Sequence, residues 1–571
     1  MRLFMWGAVT ATREGGRRYE PNFLDAGPLW GNTGSQSMKF DALCLYSCFF
    51  GYRSTVLTYG FMMTRMSKNV THWLSFEDYG DYDRLREILL RANYTVPGVL
   101  EVTGVKGGSV SGKDIPLVLQ RTREGRPIDT LMRLFLARVP VPEQAVREAI
   151  APMPLETLKR IGLLKTENGS VLPRLKLVPF DRFMLVQEIH DPALKAPLDF
   201  VIGVGAATLT MANFMIRRQS RMTLDLGTGC GLLALLKSCE SDKIIATDRN
   251  PRAVRMTRFN ARINAVSNLE CREGDLFEPV ADLRFDLILS NAPFVITPSS
   301  GYLYLDGGLH GDQFCQRLVR GAAEVLNEGG YCQFLCNWAH LKGRDWQERL
   351  AGWFKGTGCD TWVLRGATED TSVYARKWIE HFEPSSSTEF SRLYDEWMDY
   401  YTRERIEAIS MGFVTMRRNS TGENWFRIDN EPEVKQRDVG VDIIRIFELR
   451  DFLGSVQSDD SFMNAVLQPA PELRLNIEYQ PSTEGWHVVS HRLQLIRPLA
   501  FDAQTDELGW SFISRCDGKR TVGEVLREVA SSSSLNTDGI KTGAMHVIRH
   551  LIQHGFLLPA EGPAQICSET V

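Results

Sequence analysis

The chain has 571 residues, of which 43% are hydrophobic and 24% are charged, and its formal net charge is −4. At roughly 150 residues per domain, this length predicts about four units, or three units and a tail. The composition excludes a collagen-like, a wholly disordered or a coiled-coil protein, and the small net charge excludes a protein that coats polyanions over its whole surface.

Residues 1–77 show no sustained hydrophobic period, and we predict no element in this extension. Its most apolar stretch, 40–63, contains Asp41 and Arg53. A membrane span needs about 20 largely uncharged residues, so we predict no membrane segment, and no secretory leader is recognisable. Eleven cysteines without a repeated spacing favour a reducing, cytoplasmic location.

Segment 78–196 predicts a helical unit that ends in a β-hairpin. Apolar periodicity predicts helices over 82–91, 129–137, 143–150 and 155–161. Asn168 and Gly169 separate two extended runs, 163–166 and 171–177, and Asn-Gly in that position is a strong hairpin signal because both residues tolerate positive φ. Two helices followed by a hairpin is the order of a winged-helix unit.

Segment 197–430 alternates strands and helices, which predicts a Rossmann-like, mainly parallel sheet with helices on both faces. Seven strands are predicted, over 222–226, 243–247, 269–272, 285–290, 331–335, 361–364 and 412–417. Helices are predicted between them over 231–238, 251–264 and 313–326.

Segment 431–571 predicts a further domain with a helical end. Strand-like stretches at 472–478 and 486–489 precede three predicted helices, at 508–516, 522–530 and 540–554. We interpret this end as a second winged-helix-like module, so the predicted α/β sheet is flanked by such modules on both sides.

The most informative stretch begins at the end of the first predicted strand of the sheet. There Asp225 is followed by Gly227, Gly229 and Gly231, and Asp248 ends the next strand. Glycines let a backbone approach a ligand closely, and an acidic group at the second strand end is well placed for two ribose hydroxyls. This pattern alone predicts a ligand that contains adenosine.

Two further motifs follow the third and fourth predicted strands. Asp275 and Leu276 come directly after the third strand, where a carboxylate can accept from an exocyclic amino group of adenine. The fourth strand ends in Asn291-Ala292-Pro293-Phe294. Ligands bind beyond the carboxyl ends of strands in such sheets, and all four motifs lie there in order.

With these motifs, residues 197–430 resemble the class I S-adenosylmethionine-dependent methyltransferases, in the subgroup with an Asn/Asp-Pro-Pro-Tyr/Phe signature. That subgroup includes release-factor glutamine N5-methyltransferases, small-subunit rRNA guanine-N2 methyltransferases and DNA adenine-N6 methyltransferases. The resemblance also extends to bacterial "methyltransferase small domain" proteins. It implies S-adenosyl-L-methionine as the cofactor.

The resemblance also implies roles for individual residues. The first group, at the methionine and ribose side of the cofactor, consists of Asp225, Gly227, Gly229 and Gly231, with Asp248 at the ribose and Asp275 and Leu276 at the adenine. The second group faces the substrate nitrogen: Asn291 and the carbonyl of Ala292 would hold it, Pro293 follows in the same turn, and Phe294 would stack on its planar group.

One departure concerns the substrate type. Ala292 stands where the family has its first proline, so a carbonyl acceptor is kept while the stiffness of proline is lost. We expect an N-methyltransferase that acts on an amide or amino nitrogen of a macromolecule, a translation protein or an RNA, with a protein glutamine favoured. The alternatives are an RNA or DNA base methyltransferase and a regulatory module that binds the cofactor without turnover.

Histidines and arginines give weaker signals. His546, His550 and His554 recur at helical spacing without acidic or cysteine partners, and we predict no metal site. Arginines at 252, 255, 258 and 262 fall on one side of a predicted helix. A solvated face is favoured for this arginine stripe, and a contact with a phosphate backbone or with an acidic protein is the alternative.

Overall fold

The computed structural model describes residues 73–104, 112–190, 196–291, 293–298, 305, 309–382, 386–420, 422–434, 437–483, 485–533 and 537–560. These residues form two compact units, one that ends at Glu431 and one that begins at Pro432. The prediction for the extension concerns residues that lie almost wholly outside the described ranges.

The first unit begins with a mainly helical part. Its elements are α1 (Gly80–Arg91), α2 (Val96–Thr103), α3 (Ile115–Arg121), α4 (Pro127–Leu131, continued by a π-helical turn at Met132–Leu136), β1 (Val141–Pro142), α5 (Glu143–Ala149), α6 (Leu155–Arg160), β2 (Leu164–Glu167), β3 (Ser170–Pro173), β4 (Leu175–Phe180) and β5 (Phe183–Glu188). The helices predicted at 82–91, 129–137, 143–150 and 155–161 are confirmed within a few residues.

The predicted hairpin is present, with one correction. Asn168 (φ 49°) and Gly169 (φ 75°) form the turn between β2 and β3, and the antiparallel sheet has the order β1–β3–β2. The single strand predicted over 171–177 is wrong, because the chain turns after Pro173 and the Arg174 N–H bonds to the Leu163 carbonyl. The residues that follow form β4, which pairs with β5 in a separate hairpin.

The rest of the first unit contains one large sheet. Its elements are α7 (Ala206–Phe214), β6 (Ser220–Leu226), α8 (Leu232–Lys237), β7 (Ser241–Asp248), α9 (Pro251–Ile263), β8 (Leu269–Glu273), β9 (Phe285–Ser290), α10 (Gln313–Val325), β10 (Leu326–Leu341), α11 (Trp346–Phe354), β11 (Cys359–Asp370), α12 (Thr371–Phe382), α13 (Ser387–Glu404), β12 (Ile406–Arg418) and β13 (Phe426–Asn430).

The sheet has eight strands, in the order β13–β11–β12–β10–β9–β6–β7–β8, and the predicted count of seven is corrected. The seven predicted strands all occur, and β13 adds a parallel edge strand beside β11. Its sequence, Phe-Arg-Ile-Asp-Asn, alternates apolar and charged residues as a strand does, but over too few residues to be recognised. Phe426 and Ile428 pack against the main core, the apolar cluster that includes Leu224, Ile288 and Val414. Asp429 accepts a hydrogen bond from the Trp362 Nε1–H at 2.8 Å.

Helices cover both faces of this sheet, as predicted. On one face α10 and α11 pack against Leu224, Ile288 and Val414. On the other face Ala234 of α8 packs against Ile244 and Ala246 of β7. The strands are therefore apolar on both sides, which is typical of parallel sheets.

The helix pair α12–α13, inserted between β11 and β12, forms a second core. Tyr374 and Tyr401 clamp the segment after the Asn291 turn: the Ile296 N–H donates to the Tyr374 hydroxyl at 3.2 Å, and the Tyr401 hydroxyl donates to the Ile296 carbonyl at 2.8 Å. This segment therefore has a fixed position relative to the sheet.

The second unit contains β14 (Glu433–Val434), α14 (Gly440–Ser455), α15 (Asp459–Met463), β15 (Leu467–Pro469), β16 (Leu473–Ser482), β17 (Gly485–Leu495), β18 (Leu499–Ala500), β19 (Asp502–Thr505), α16 (Glu507–Arg515), α17 (Val522–Ser532), α18 (Thr537–Gln553) and β20 (Leu557–Pro559). The three predicted C-terminal helices are confirmed as α16, α17 and α18. Strand β20 closes this helical end by pairing with β15.

Candidate active site

A cleft of about 720 Å³, counting its open mouth, lies at the carboxyl ends of the parallel strands. The described residues that line it are Phe200, Val201, Ile202, Leu226, Gly227, Gly229, Thr247, Asp248, Arg249, Asn250, Ala253, Gly274, Asp275, Leu276, Asn291, Pro293 and Phe314. Seven predicted site residues are thus brought together: Gly227, Gly229, Asp248, Asp275, Leu276, Asn291 and Pro293.

The glycine turn between β6 and α8 forms one wall of this cleft. Gly227, Gly229 and Gly231 have φ angles of 74°, 58° and 85°, a region that side chains rarely adopt. A Cβ atom on Gly231 would lie 2.8 Å from the Thr257 side chain, so this glycine is needed for packing against α9. Gly231 does not line the cleft.

Asp225 lies behind the turn and shapes it from within. Its Oδ2 accepts from the Thr228 hydroxyl at 2.7 Å and from the Ala234 N–H at 3.2 Å, while Oδ1 has no partner among the described residues. Burial raises the pKa of this carboxyl to about 6. Asp225 was expected at the methionine and ribose side, and it does not line the cleft.

Asp248 presents a preorganised carboxylate at the end of β7. Its Oδ2 accepts from the Gly229 N–H at 3.0 Å and its Oδ1 accepts from the Asn250 N–H at 2.9 Å. Burial raises its pKa, and these two backbone donors oppose that rise. The carboxylate therefore ties the glycine turn to the start of α9.

The turn after β8 forms the opposite wall. Gly274 cannot carry a side chain, because a Cβ atom would lie 2.4 Å from the Pro279 ring. Asp275 is half-exposed, with its Oδ2 3.8 Å from Arg317 Nη2. Leu276, at φ 44°, packs against the main core beside this acid. An apolar surface next to a carboxylate fits an adenine ring and its amino group.

Asn291 lies at the end of β9 with one end of its carboxamide engaged. Its Nδ2 donates to the Thr208 hydroxyl at 3.1 Å, and its buried Oδ1 has no partner among the described residues. The neighbouring Ser290 hydroxyl donates to the Leu226 carbonyl at 2.9 Å, which joins the ends of β9 and β6. An unpaired buried acceptor is costly, so this oxygen fits a site that a ligand completes.

The remaining predicted residues of the Asn291 turn have different positions. Ala292 lies outside the described residues. Phe294 is partly buried against the main core and the α12–α13 core, and it does not line the cleft. Its role as a stacking platform stays a prediction.

Sequence reasoning missed the segment that forms the outer wall, Phe200, Val201 and Ile202. The Asn250 side chain fixes it by donating from Nδ2 to the Asp199 carbonyl at 2.8 Å, and its Oδ1 caps α9 by accepting from the Arg252 N–H. The Asn250-Pro251 pair is a helix-start signal, but nothing local reveals the long-range contact.

Two arginines of the stripe on α9, Arg252 and Arg262, are engaged within the first unit, while Arg255 and Arg258 are exposed. Arg252 pairs with the buried Glu188, with its Nε 3.0 Å from Oε1, and its guanidinium lies 4.5 Å from the Trp73 ring centroid. Arg262 donates to the Tyr79 hydroxyl at 2.7 Å. The favoured prediction of a solvated face is therefore wrong for these two arginines, because they hold the N-terminal part against α9.

No group of three metal-binding side chains occurs within the described ranges. His554 packs edge-on against the Phe501 ring, at 5.3 Å between centroids, and its Nδ1 lies 2.9 Å from the His550 carbonyl.

In the part of the chain that the structure covers, every helix is too short or too polar to cross a membrane.

The chain matches models of protein families and is similar to individual proteins with known names. The family model "Methyltransferase small domain" matches residues 201–355, and two domains of unknown function, DUF7059 and DUF7782, match residues 91–174 and 445–559. The chain is similar to a release factor glutamine methyltransferase of Geobacter sulfurreducens, with 32% identity over 35% of this chain and 72% of that protein. The same enzyme of Aquifex aeolicus is 34% identical over 19% of this chain and 43% of that protein.

The matched family segment covers every residue that lines the cleft except Phe200, and it includes the glycine turn and Asn291. Its relatives are methyltransferases, and the cleft combines an apolar surface with the carboxylates of Asp248 and Asp275. The chain therefore belongs to the class I S-adenosylmethionine-dependent methyltransferases, and S-adenosylmethionine is its methyl donor.

Proposed function

We propose that this enzyme methylates the side-chain nitrogen of a glutamine in a translation protein. The observation that carries the proposal is the buried, unpartnered Asn291 Oδ1 at the carboxyl end of β9, in a cleft with an adenosine-type binding surface. The names of the relatives, release factor glutamine methyltransferases, support the choice of glutamine.

In this proposal different cleft residues contact different parts of the cofactor. Asp248 accepts from the ribose hydroxyls, and Asp275 and Leu276 take the adenine. Gly227 and Gly229 let the backbone come close on the methionine side, while Asp225 and Gly231 keep the turn in shape from behind. When bound, S-adenosylmethionine supplies a methyl group on a positively charged sulfur.

The acceptor nitrogen is held by the Asn291 turn. An amide nitrogen is a poor nucleophile because its lone pair is delocalised. Asn291 Oδ1 accepts one of its hydrogens and the Ala292 carbonyl accepts the other, which directs the lone pair into the cleft. The same two dipoles stabilise positive charge that develops on the nitrogen. Pro293 fixes the turn, and Phe294 is the proposed platform for the planar amide.

A nucleic-acid base is the alternative acceptor, since its exocyclic amino group offers the same two hydrogens. Backbone phosphates require free cations. On α9, Arg252 and Arg262 are engaged with Glu188 and Tyr79, whereas Arg255 and Arg258 are exposed. The choice of a protein substrate therefore rests on the names of the relatives.

We propose that the flanking parts recruit this substrate. The β1–β3–β2 sheet, which follows α5 and α6 in the same part of the chain, supports a winged-helix-like module there, and the helices α16–α18 with β20 support a second one. The described cysteines are free thiols, which fits a reducing cytoplasm, where translation proteins are found.

The proposal is tested by incubating the protein with methyl-tritiated S-adenosylmethionine and a dialysed cell lysate. We expect acid-insoluble label that protease removes and nuclease does not. Asn291→Ala should lower the initial rate about 10²–10³-fold, because one preorganised acceptor is lost, and calorimetric affinity for S-adenosylmethionine should stay within about twofold.

Asp248→Ala is the matched control on the cofactor side. It should weaken S-adenosylmethionine binding by about 1.5–3 kcal/mol, because charge-assisted hydrogen bonds are lost. Label that nuclease releases would show that the substrate is a nucleic acid and would contradict a protein substrate. An Asn291→Ala enzyme with the parental rate would remove the basis of the proposal.

A further inference from the structure

The contact between Thr208 and Asn291 has a consequence for the acceptor site. Thr208 lies on α7, which sequence reasoning did not predict, and its hydroxyl accepts from Asn291 Nδ2 at 3.1 Å. The two ends of a carboxamide have nearly the same shape but opposite hydrogen-bonding character. The Thr208 hydroxyl can pair with either end, so it fixes where the carboxamide lies; in the structure Nδ2 contacts the hydroxyl and Oδ1 has no partner among the described residues.

We propose that Thr208 is a positioning residue: its hydroxyl holds one end of the Asn291 carboxamide in place and leaves the other end, Oδ1 in this structure, for the substrate nitrogen. The inference rests on the proposed function of Asn291. With the carboxamide turned round, Nδ2 would direct its own N–H groups at the substrate hydrogens, and donor would face donor. A substrate nitrogen that carries hydrogen therefore favours the orientation with Oδ1 free, and Thr208 keeps the carboxamide within reach of that nitrogen.

Helix α7 is itself fixed at both ends, so Thr208 has a defined position. The Val204 N–H, just before the helix, donates to Gln187 Oε1 at 3.1 Å. After the helix, Gln333 Nε2 donates to the Phe214 carbonyl at 3.0 Å, and Gln333 Oε1 accepts from the Ile216 N–H at 2.8 Å. The hydroxyl of Thr208 is therefore presented by a rigid element.

The hydroxyl, and not the bulk of the side chain, carries this role. Thr208→Val keeps the shape and removes the hydrogen-bonding oxygen, whereas Thr208→Ser keeps the oxygen and removes a methyl group. Loss of one neutral hydrogen bond is worth about 0.5–1.5 kcal/mol, which corresponds to a rate decrease of about 3–10-fold. The serine variant should retain the parental rate within about twofold.

The experiment measures two quantities for the full chain and its variants. The first is the initial rate of tritium transfer from S-adenosylmethionine into protease-sensitive lysate protein at saturating cofactor. The second is the calorimetric affinity for S-adenosylmethionine without lysate. We expect Thr208→Val to lower the rate about 3–10-fold with unchanged affinity, Thr208→Ser to restore it, and Thr208→Val to add nothing when Asn291 is already alanine.

Any of three rate results would overturn the positioning role: a parental rate for Thr208→Val, a serine variant as slow as the valine variant, or the same further rate loss in the Asn291→Ala background. A changed cofactor affinity in Thr208→Val would also overturn it, because the helix would then act through the cofactor site. A parental rate for Asn291→Ala, in contrast, contradicts the proposed function and with it the inference.

Discussion

Asp225 is the most deeply buried acid of the site, and its Oδ1 has no partner among the described residues. Its two donors, Thr228 and Ala234, satisfy only Oδ2. The pKa of about 6 means that the folded protein holds this proton over a range in which the unfolded chain has released it. Buried Asp225 therefore holds the glycine turn in shape but lowers the free energy of unfolding near neutral pH.

This predicts a pH dependence that Asp225→Asn removes. A raised folded pKa gives stability that is present below the unfolded value, near 4, and is lost as pH rises to about 6. From pH 4 to pH 7 the parental free energy of unfolding should fall by about 2 kcal/mol relative to the asparagine variant. Urea unfolding of both proteins at pH 4 and pH 7 measures the difference. Equal changes in the free energy of unfolding of the two proteins would contradict the raised pKa of Asp225.

At the scale of elements, α9 connects the cleft with the N-terminal part. Asn260 accepts from the Val186 N–H at 2.8 Å, and its Nδ2 donates to the Val186 carbonyl at 3.0 Å and to the Cys230 carbonyl at 2.8 Å. One turn later, Asn264 makes the same paired contact with Met184. The two amides thus continue the pairing of β5 and join its edge to the glycine turn.

Asn260→Ala should lower the free energy of unfolding by about 3 kcal/mol, because it leaves buried backbone groups of Val186 and Cys230 without partners. Asn264→Ala is the matched control. Its side chain is only partly buried, water can replace it, and the loss should be about 1 kcal/mol. Chemical denaturation of both variants measures the order, and equal losses would contradict the role of burial.

The extent of sequence prediction also differs from element to element. The glycine turn, Asp248 and the Asn291 turn were predictable because glycines and strand-end acids carry local patterns. Helices α12 and α13 were not predicted, although α13 carries local helix signals: Ser386 caps its start, and Phe390, Trp397 and Tyr401 recur at helical spacing. The cleft wall at 200–202 was not predicted either, because its sequence has no periodicity. Its position depends on side chains that are distant in sequence, such as Asn250.

At the scale of the whole molecule, the residues that line the cleft all belong to the first compact unit. Removal of residues 432–571 should therefore leave calorimetric affinity for S-adenosylmethionine within about twofold of the parental value. Labelling of lysate protein should fall if the second unit recruits substrate, as proposed. A truncated protein that folds and labels its substrate at the parental rate would contradict recruitment by the second unit.

Transfer of a methyl group to a glutamine side-chain nitrogen is tested most directly by identifying the methylated residue. Label transferred by the parental enzyme should be recovered, after complete enzymatic digestion of the labelled protein, as N5-methylglutamine, with almost none from the Asn291→Ala enzyme. Tandem mass spectrometry of the labelled peptides should place the methyl group on the glutamine side chain. Recovery of the label as a methylated base, or on a carboxyl oxygen, would contradict the account.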